Sequence, residues 1–207
     1  MNPAVDLDKI LENVEFQLLE SNLEDSMLRG TGLPANVSEL DDTRLRGPPV
    51  LVEIISMTEI GHSAYNLQNI RQTRLDRVDL TGLVGDDDEG PVPNYPRSML
   101  RLQLSDGSVI FEAMEYRPLP ELQLGTTQLG FKVCLAATNY TYTSCFYKQM
   151  LLKDVFIRRG VGFLEPRCIE LKGHQTEDRQ ANQDFDFVRG LCVRLGYAII
   201  SYCRSAG

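Results

Sequence analysis

Apolar positions change period along this chain, and each change marks a new kind of element. Leu7, Ile10, Leu11, Val14 and Leu18 recur at the spacing of one helix face. Asp6 stands where an N-cap belongs. A second helical stretch, Leu18 to Met27, continues or follows the first, and Arg29-Gly30-Thr31-Gly32-Leu33-Pro34 ends it. After Gly47-Pro48-Pro49 the pattern becomes short and β-branched, so Val50 to Met57 predicts a strand. Met99 to Leu104 then alternates strictly, with Leu100, Leu102 and Leu104 on one face. Asp106-Gly107 predicts a tight two-residue turn, in which both central positions need φ > 0. Val109 to Tyr116 returns as the partner strand, ended by Pro118 and Pro120. Further strands are predicted at Phe131–Leu135, Leu152–Ile157, Val161–Leu164 and Cys168–Leu171. Finally Phe185, Val188, Leu191 and Leu195 recur at helical spacing, and Tyr197 to Tyr202 reads as a last helical turn or a strand.

Short strands without βαβ alternation point to a small barrel. A five-stranded OB-fold, mainly β, accommodates them, with a short N-terminal helical region and a long insertion after the first strand. The expected division is residues 1–47 as the helical region and 48–173 as the OB-fold domain. Residues 174–207 form a C-terminal tail with a possible helix. The insertion covers about 59–96. Tyr65, Leu67, Ile70 and Leu75, scattered through polar sequence, predict a short helix in its first half. Its second half, with Gly82, Gly85, the acids at 86–89, Gly90, Pro91, Pro93 and Pro96, predicts a mobile segment that packs no core. Connections this long are often functional.

Composition narrows the function classes. Hydrophobic residues make up 43% of the 207, enough for a sizeable core. No run of ~18 apolar residues occurs, so no membrane span is expected. The start, Met1-Asn2-Pro3-Ala4-Val5-Asp6, lacks the charged and apolar regions of a secretory signal. Five cysteines without a Cys-x-x-Cys pair predict a reducing, intracellular compartment. The net charge of −8 argues against a freestanding nucleic-acid binder. That charge is uneven: residues 1–47 hold ten acids and four bases, whereas 98–172 hold nine bases and seven acids.

The chemistry-bearing residues are sparse. His62 and His174 fall in predicted loops with no nucleophile motif beside them. His174 and Cys168 are too few for a zinc site. The acidic run lacks the spaced oxygens of a calcium loop. No catalytic, metal or cofactor residue is therefore assigned, and the chain reads as a non-enzyme. For a DNA groove, the hairpin's outward face offers Arg101, Ile110, Glu112, Met114 and Tyr116, a single aromatic with an acid beside it, which is poor. The same set suits a protein-binding patch. The plainer reading is that Ile110 and Met114 pack beneath the N-terminal helix.

Pro96-Arg97-Ser98-Met99 through Asp106-Gly107, followed by Met114-Glu115-Tyr116-Arg117-Pro118, resembles the RecQ-mediated genome instability protein 1 family. Leu129-Gly130-Phe131-Lys132-Val133, Arg159-Gly160-Val161-Gly162-Phe163-Leu164 and Ile169-Glu170-Leu171-Lys172-Gly173 match in order. So do Leu18 to Ser26, and Ser63-Ala64-Tyr65 with Leu67 to Arg71. Leu135 to Met150 interrupts what resembles the family's fourth strand. The resemblance implies a nuclear accessory subunit of topoisomerase III, acting with a RecQ-type helicase to dissolve double Holliday junctions. It performs no covalent chemistry and meets DNA only within the complex. The barrel docks, and the insertion reaches the enzyme's DNA gate. The expected contact residues are Tyr65, Leu67, Ile70, Arg71 and Arg74 in the insertion, with Arg101 and Tyr116 on the barrel. The alternative is a single-stranded DNA-binding OB-fold protein.

Overall fold

The computed structural model describes residues 3–81, 92–135 and 154–197. The acidic run at 86–89, the interruption after Leu135 and residues 198–207 lie outside these. The core is one curled sheet with strand order β1-β6-β7-β4-β3-β2-β5-β8. The strands are β1 (Thr43–Arg44), β2 (Val50–Glu59), β3 (Leu100–Ser105), β4 (Ile110–Glu115), β5 (Lys132–Leu135), β6 (Phe156–Arg158), β7 (Val161–Leu164) and β8 (Ile169–Gly173). Among the described residues, five α-helices accompany it: α1 (Pro3–Glu20), α2 (Leu23–Ser26), α3 (Ala64–Thr81), α4 (Glu177–Ala181) and α5 (Gln183–Leu195).

The five expected strands are recognisable within these eight. β2, β3 and β4 are the antiparallel meander, and β7 joins β4 in parallel. The interrupted fourth strand appears as two pieces. β5 pairs with β2, and β6 pairs with β7, so each half keeps one neighbour of a single barrel strand. β1, which the sequence pattern did not predict, and β8 extend the ends of the sheet.

β2 shows how the pattern builds the core. Val50, Val52 and Ile54 point inward, then a bulge between Ile54 and Ser56 shifts the phase, so that Met57 and Glu59 follow inside. Leu100, Leu102 and Leu104 from β3 and Phe111 and Ala113 from β4 fill the interior as the alternation predicts. Gly162 of β7 leaves room for the Phe111 ring: a Cβ there would lie 2.5 Å from its Cζ.

The hairpin turn departs from expectation. β3 ends at Ser105 and β4 begins at Ile110, so the connection has four residues, and only Gly107 takes a positive φ. Asp106 is the reason. Its buried carboxylate accepts the N–H of Ser108 at 2.9 Å and of Val109 at 2.7 Å, and that of Leu33 at 2.6 Å. The side chain shapes the loop as an Asx turn and ties it to the N-terminal region. Gly107 presses on that region too: a Cβ would sit 2.2 Å from the Leu23 carbonyl oxygen.

The N-terminal helix is already formed at Pro3, so Asp6 lies inside it rather than at its cap. Its stripe of Leu7, Ile10, Leu11 and Val14 is exposed. Ile110 is exposed as well, so it does not pack beneath that helix.

Candidate functional site

The insertion is more ordered at its start than composition suggested. α3 runs eighteen residues, where the apolar spacing predicted only a short helix. It leaves the barrel through a narrow neck that Glu59, the last residue of β2, closes. The fully buried Glu59 carboxylate accepts the N–H of Gly61 at 2.7 Å, of Ser98 at 2.8 Å and of Met99 at 3.0 Å. One side chain thus joins the outgoing and returning strands of the insertion. Close by, Glu115 forms a bidentate pair with Arg97 and also accepts the N–H groups of Leu100 and Leu119. Burial pushes the Glu115 carboxyl up, but the Arg97 and backbone hydrogen bonds outweigh it and hold its pKa below the ordinary value.

The C-terminal helix α5 holds α3 from the side. Leu67 and Ala64 of α3 pack with Leu191 of α5 in a small cluster of their own. Arg71 Nε and Nη2 donate to the two carboxylate oxygens of Asp184 at 2.9 and 2.6 Å. Arg74 donates to the Pro93 carbonyl at 2.7 Å and lies 5.0 Å from the centre of the Tyr95 ring, which packs on Phe187. Arg194 donates to the carbonyls of Glu59 and His62, bringing α5 back to the neck. A groove of about 440 Å³, with Leu75, Tyr95 and Phe187 in its lining, opens beside this contact.

Beneath α4 lies a buried charged cluster. Lys132 donates to the Gly130 carbonyl and the Thr176 hydroxyl, both at 2.9 Å, and lies 3.4 Å from Glu53. Arg179 reaches the same carboxylate at 3.2 Å. Burial pulls the Lys132 pKa down against the attraction of Glu53. Three elements converge here on one carboxylate, so the cluster seats α4 on the barrel.

The expected contact residues separate into distinct groups. Tyr65 is exposed on α3 and Ile70 is half-buried. Leu67 is corrected: it is fully buried against Leu191 and cannot touch a partner while α3 stays docked. Arg71 and Arg74 serve the internal contacts just described. Arg101 is exposed on β3, with its Nε donating to Glu112 at 2.9 Å, and Tyr116 is exposed just after β4. Sequence reasoning missed Glu59, Asp184 and Arg194. A carboxylate ending a strand at the mouth of a long insertion was the available signal for Glu59. The other two carried none.

The family model of the RMI1 N-terminal OB-fold domain matches residues 33–146. The RecQ-mediated genome instability protein 1 of Danio rerio is 34% identical over 194 residues, covering 93% of this chain and 33% of that protein. Its namesake from Xenopus laevis is 28% identical over 170 residues, covering 82% of this chain and 27% of that protein. The chain thus spans about a third or less of the length of these curated relatives. With its OB-fold sheet, the helix-bearing insertion after the first barrel strand and these similarities, the chain belongs to the RecQ-mediated genome instability protein 1 family.

Proposed function

We propose that this chain is a non-catalytic accessory subunit in genome maintenance, one that binds topoisomerase III in the nucleus. With a RecQ-type helicase the assembly would dissolve double Holliday junctions, the enzyme supplying the covalent chemistry. The names of the relatives support the RecQ pathway and a role in genome stability. The observation that carries the rest is the held insertion. α3 stands on the barrel with its root closed by Glu59 and its flank fixed by α5. An element that biases a moving gate needs this, because a ligand shifts an equilibrium only by contacting its two states differently. A loosely tethered segment would adapt to both.

The test is co-purification and decatenation with topoisomerase III. The full chain is compared with a variant in which residues 61–95 are replaced by a short Gly/Ser linker. The reading expects both to bind and only the full chain to change decatenation. If neither binds, the reading fails.

A further inference from the structure

β3, β4, β7, β6 and β1 are consecutive in the sheet, and their outward side chains line up across it. The registers place Arg101 opposite Met114, Met114 beside Phe163, Phe163 opposite Phe156, and Phe156 opposite Arg44. Tyr116 stands edge-on to Phe163, with ring centres 6.0 Å apart. Tyr116 is 60% exposed and Ile110, on the same face, 58%. This is a row of aromatic and Met side chains bounded by arginine at both ends. Arg158 and Arg117, both exposed, add to the border, whereas the acid within it, Glu112, is engaged by Arg101 and Gln103. Asp42 and Asp154 stand beside Arg44 and Phe156 at the β1 end, but arginines outnumber carboxylates along the row, on a chain whose net charge is −8.

We propose that this outward face of β3-β4-β7-β6 is the surface by which the barrel docks, and that it takes a protein presenting an apolar depression rimmed by carboxylates. The inference rests on the reading of the chain as a topoisomerase III subunit and names the surface used. Tyr, Phe, Met and Arg are the residues enriched in interface cores. The sign of the border sets the sign of the partner's rim, since complementary potentials favour the right partner and like charges exclude wrong ones. Single-stranded nucleic acid fits less well. Stacking needs open ring faces, and here Arg117 lies 5.2 Å from the Tyr116 ring centre, Arg44 6.0 Å from that of Phe156, and Phe163 is packed between Tyr116 and Phe156. A second copy of this chain fits less well too, because a two-fold contact sets one arginine border against another.

The test uses the full chain and purified topoisomerase III in a titration calorimeter. The variants are Tyr116→Asp, Arg101→Glu and Arg158→Glu, all at exposed positions. Val193→Asp, on the exposed side of α5, is the control, and circular dichroism and urea melts check folding. The face predicts that Tyr116→Asp weakens binding by about 30-fold or more, as loss of an aromatic anchor does. Each arginine reversal weakens it less and flattens its salt dependence, and Val193→Asp leaves it unchanged. If the wild-type chain binds and the face variants bind equally well, the face is wrong and the partner stands. If the wild-type chain does not bind, both fall. If the same variants instead abolish binding of a labelled oligo(dT) or break up a dimer seen by sedimentation, the face belongs to nucleic acid or to a second copy, and the proposal is overturned.

Discussion

Glu59→Gln is the sharpest probe of how the insertion is held. The side chain keeps its size, but one acceptor oxygen becomes a donor. In the wild type, Oε1 takes Gly61 N–H and Oε2 takes Ser98 N–H, while Met99 N–H lies 3.0 and 3.1 Å from the two oxygens. Whichever way the amide turns, its NH₂ faces the N–H of Gly61 or of Ser98. The substitution removes a hydrogen bond to a charged group, worth about 1.5–3 kcal/mol, and strands a donor, at about 1–3 kcal/mol. Some relief comes from water, because Gly61, Ser98 and Met99 are exposed at the surface. The net expectation is a loss of about 2–4 kcal/mol, a large share of the roughly 5–15 kcal/mol that holds a typical domain. Urea unfolding at neutral pH should show a lower midpoint with an unchanged slope. Hydrogen exchange should show the amides of Gly61, Ser98 and Met99 losing protection first. A midpoint within the equivalent of about 0.5 kcal/mol of wild type, with those amides still protected, would refute the neck as described.

Other consequences follow from the same contacts. Leu67→Ala should cost about 2–4 kcal/mol, as for other buried leucines, and hydrogen exchange should place the lost protection in α3 and α5 rather than in the barrel. Asp184→Ala should cost no more than about 1 kcal/mol despite its bidentate geometry, because the Asp184 side chain is 67% exposed and surface pairs are well screened; the same urea titration checks it. Glu115 sets a pH dependence. Its folded pKa lies below the ordinary 4.5, so its stabilisation is complete above that pH and is lost as pH falls from there through the folded value. Glu115→Gln should therefore be less stable at pH 7 yet show a shallower loss across the acid range, as followed by circular dichroism.

What the sequence reveals about this molecule divides along contact range. The face of β3 was legible because Leu100, Leu102 and Leu104 alternate, and alternation is a property of the strand itself. The Asp106-Gly107 turn was misread because the Asp106 carboxylate serves Leu33, far back along the chain, as well as its own loop. Leu67 and Arg71 looked like partner-facing residues of a polar insertion. Their real neighbours, Leu191 and Asp184, lie in a C-terminal helix with no local sign of where it docks. The outward face shows the same limit. From the hairpin alone it carries one aromatic, and the parallel pairing of β4 with β7, which brings in Phe163 and then Phe156, leaves no mark in either strand.

These long-range contacts bear on how the insertion could work. α5 touches α3 through Leu191 and Asp184, and touches β2 through Ser56, whose hydroxyl donates to Asp186 at 2.6 Å. It also returns to the neck through Arg194. The barrel, the neck and the insertion helix are thus fixed to one another by a helix that lies outside the matched family model. On the proposed reading, a load on α3 would pass to the barrel through these packed side chains and paired charges. A substitution in α5 that never meets the partner, such as Leu191→Ala, should then change what the insertion does while leaving the barrel face intact. Separating those two effects requires measuring affinity and decatenation on the same variant. Unchanged affinity with altered decatenation is the pattern that a positioned insertion demands.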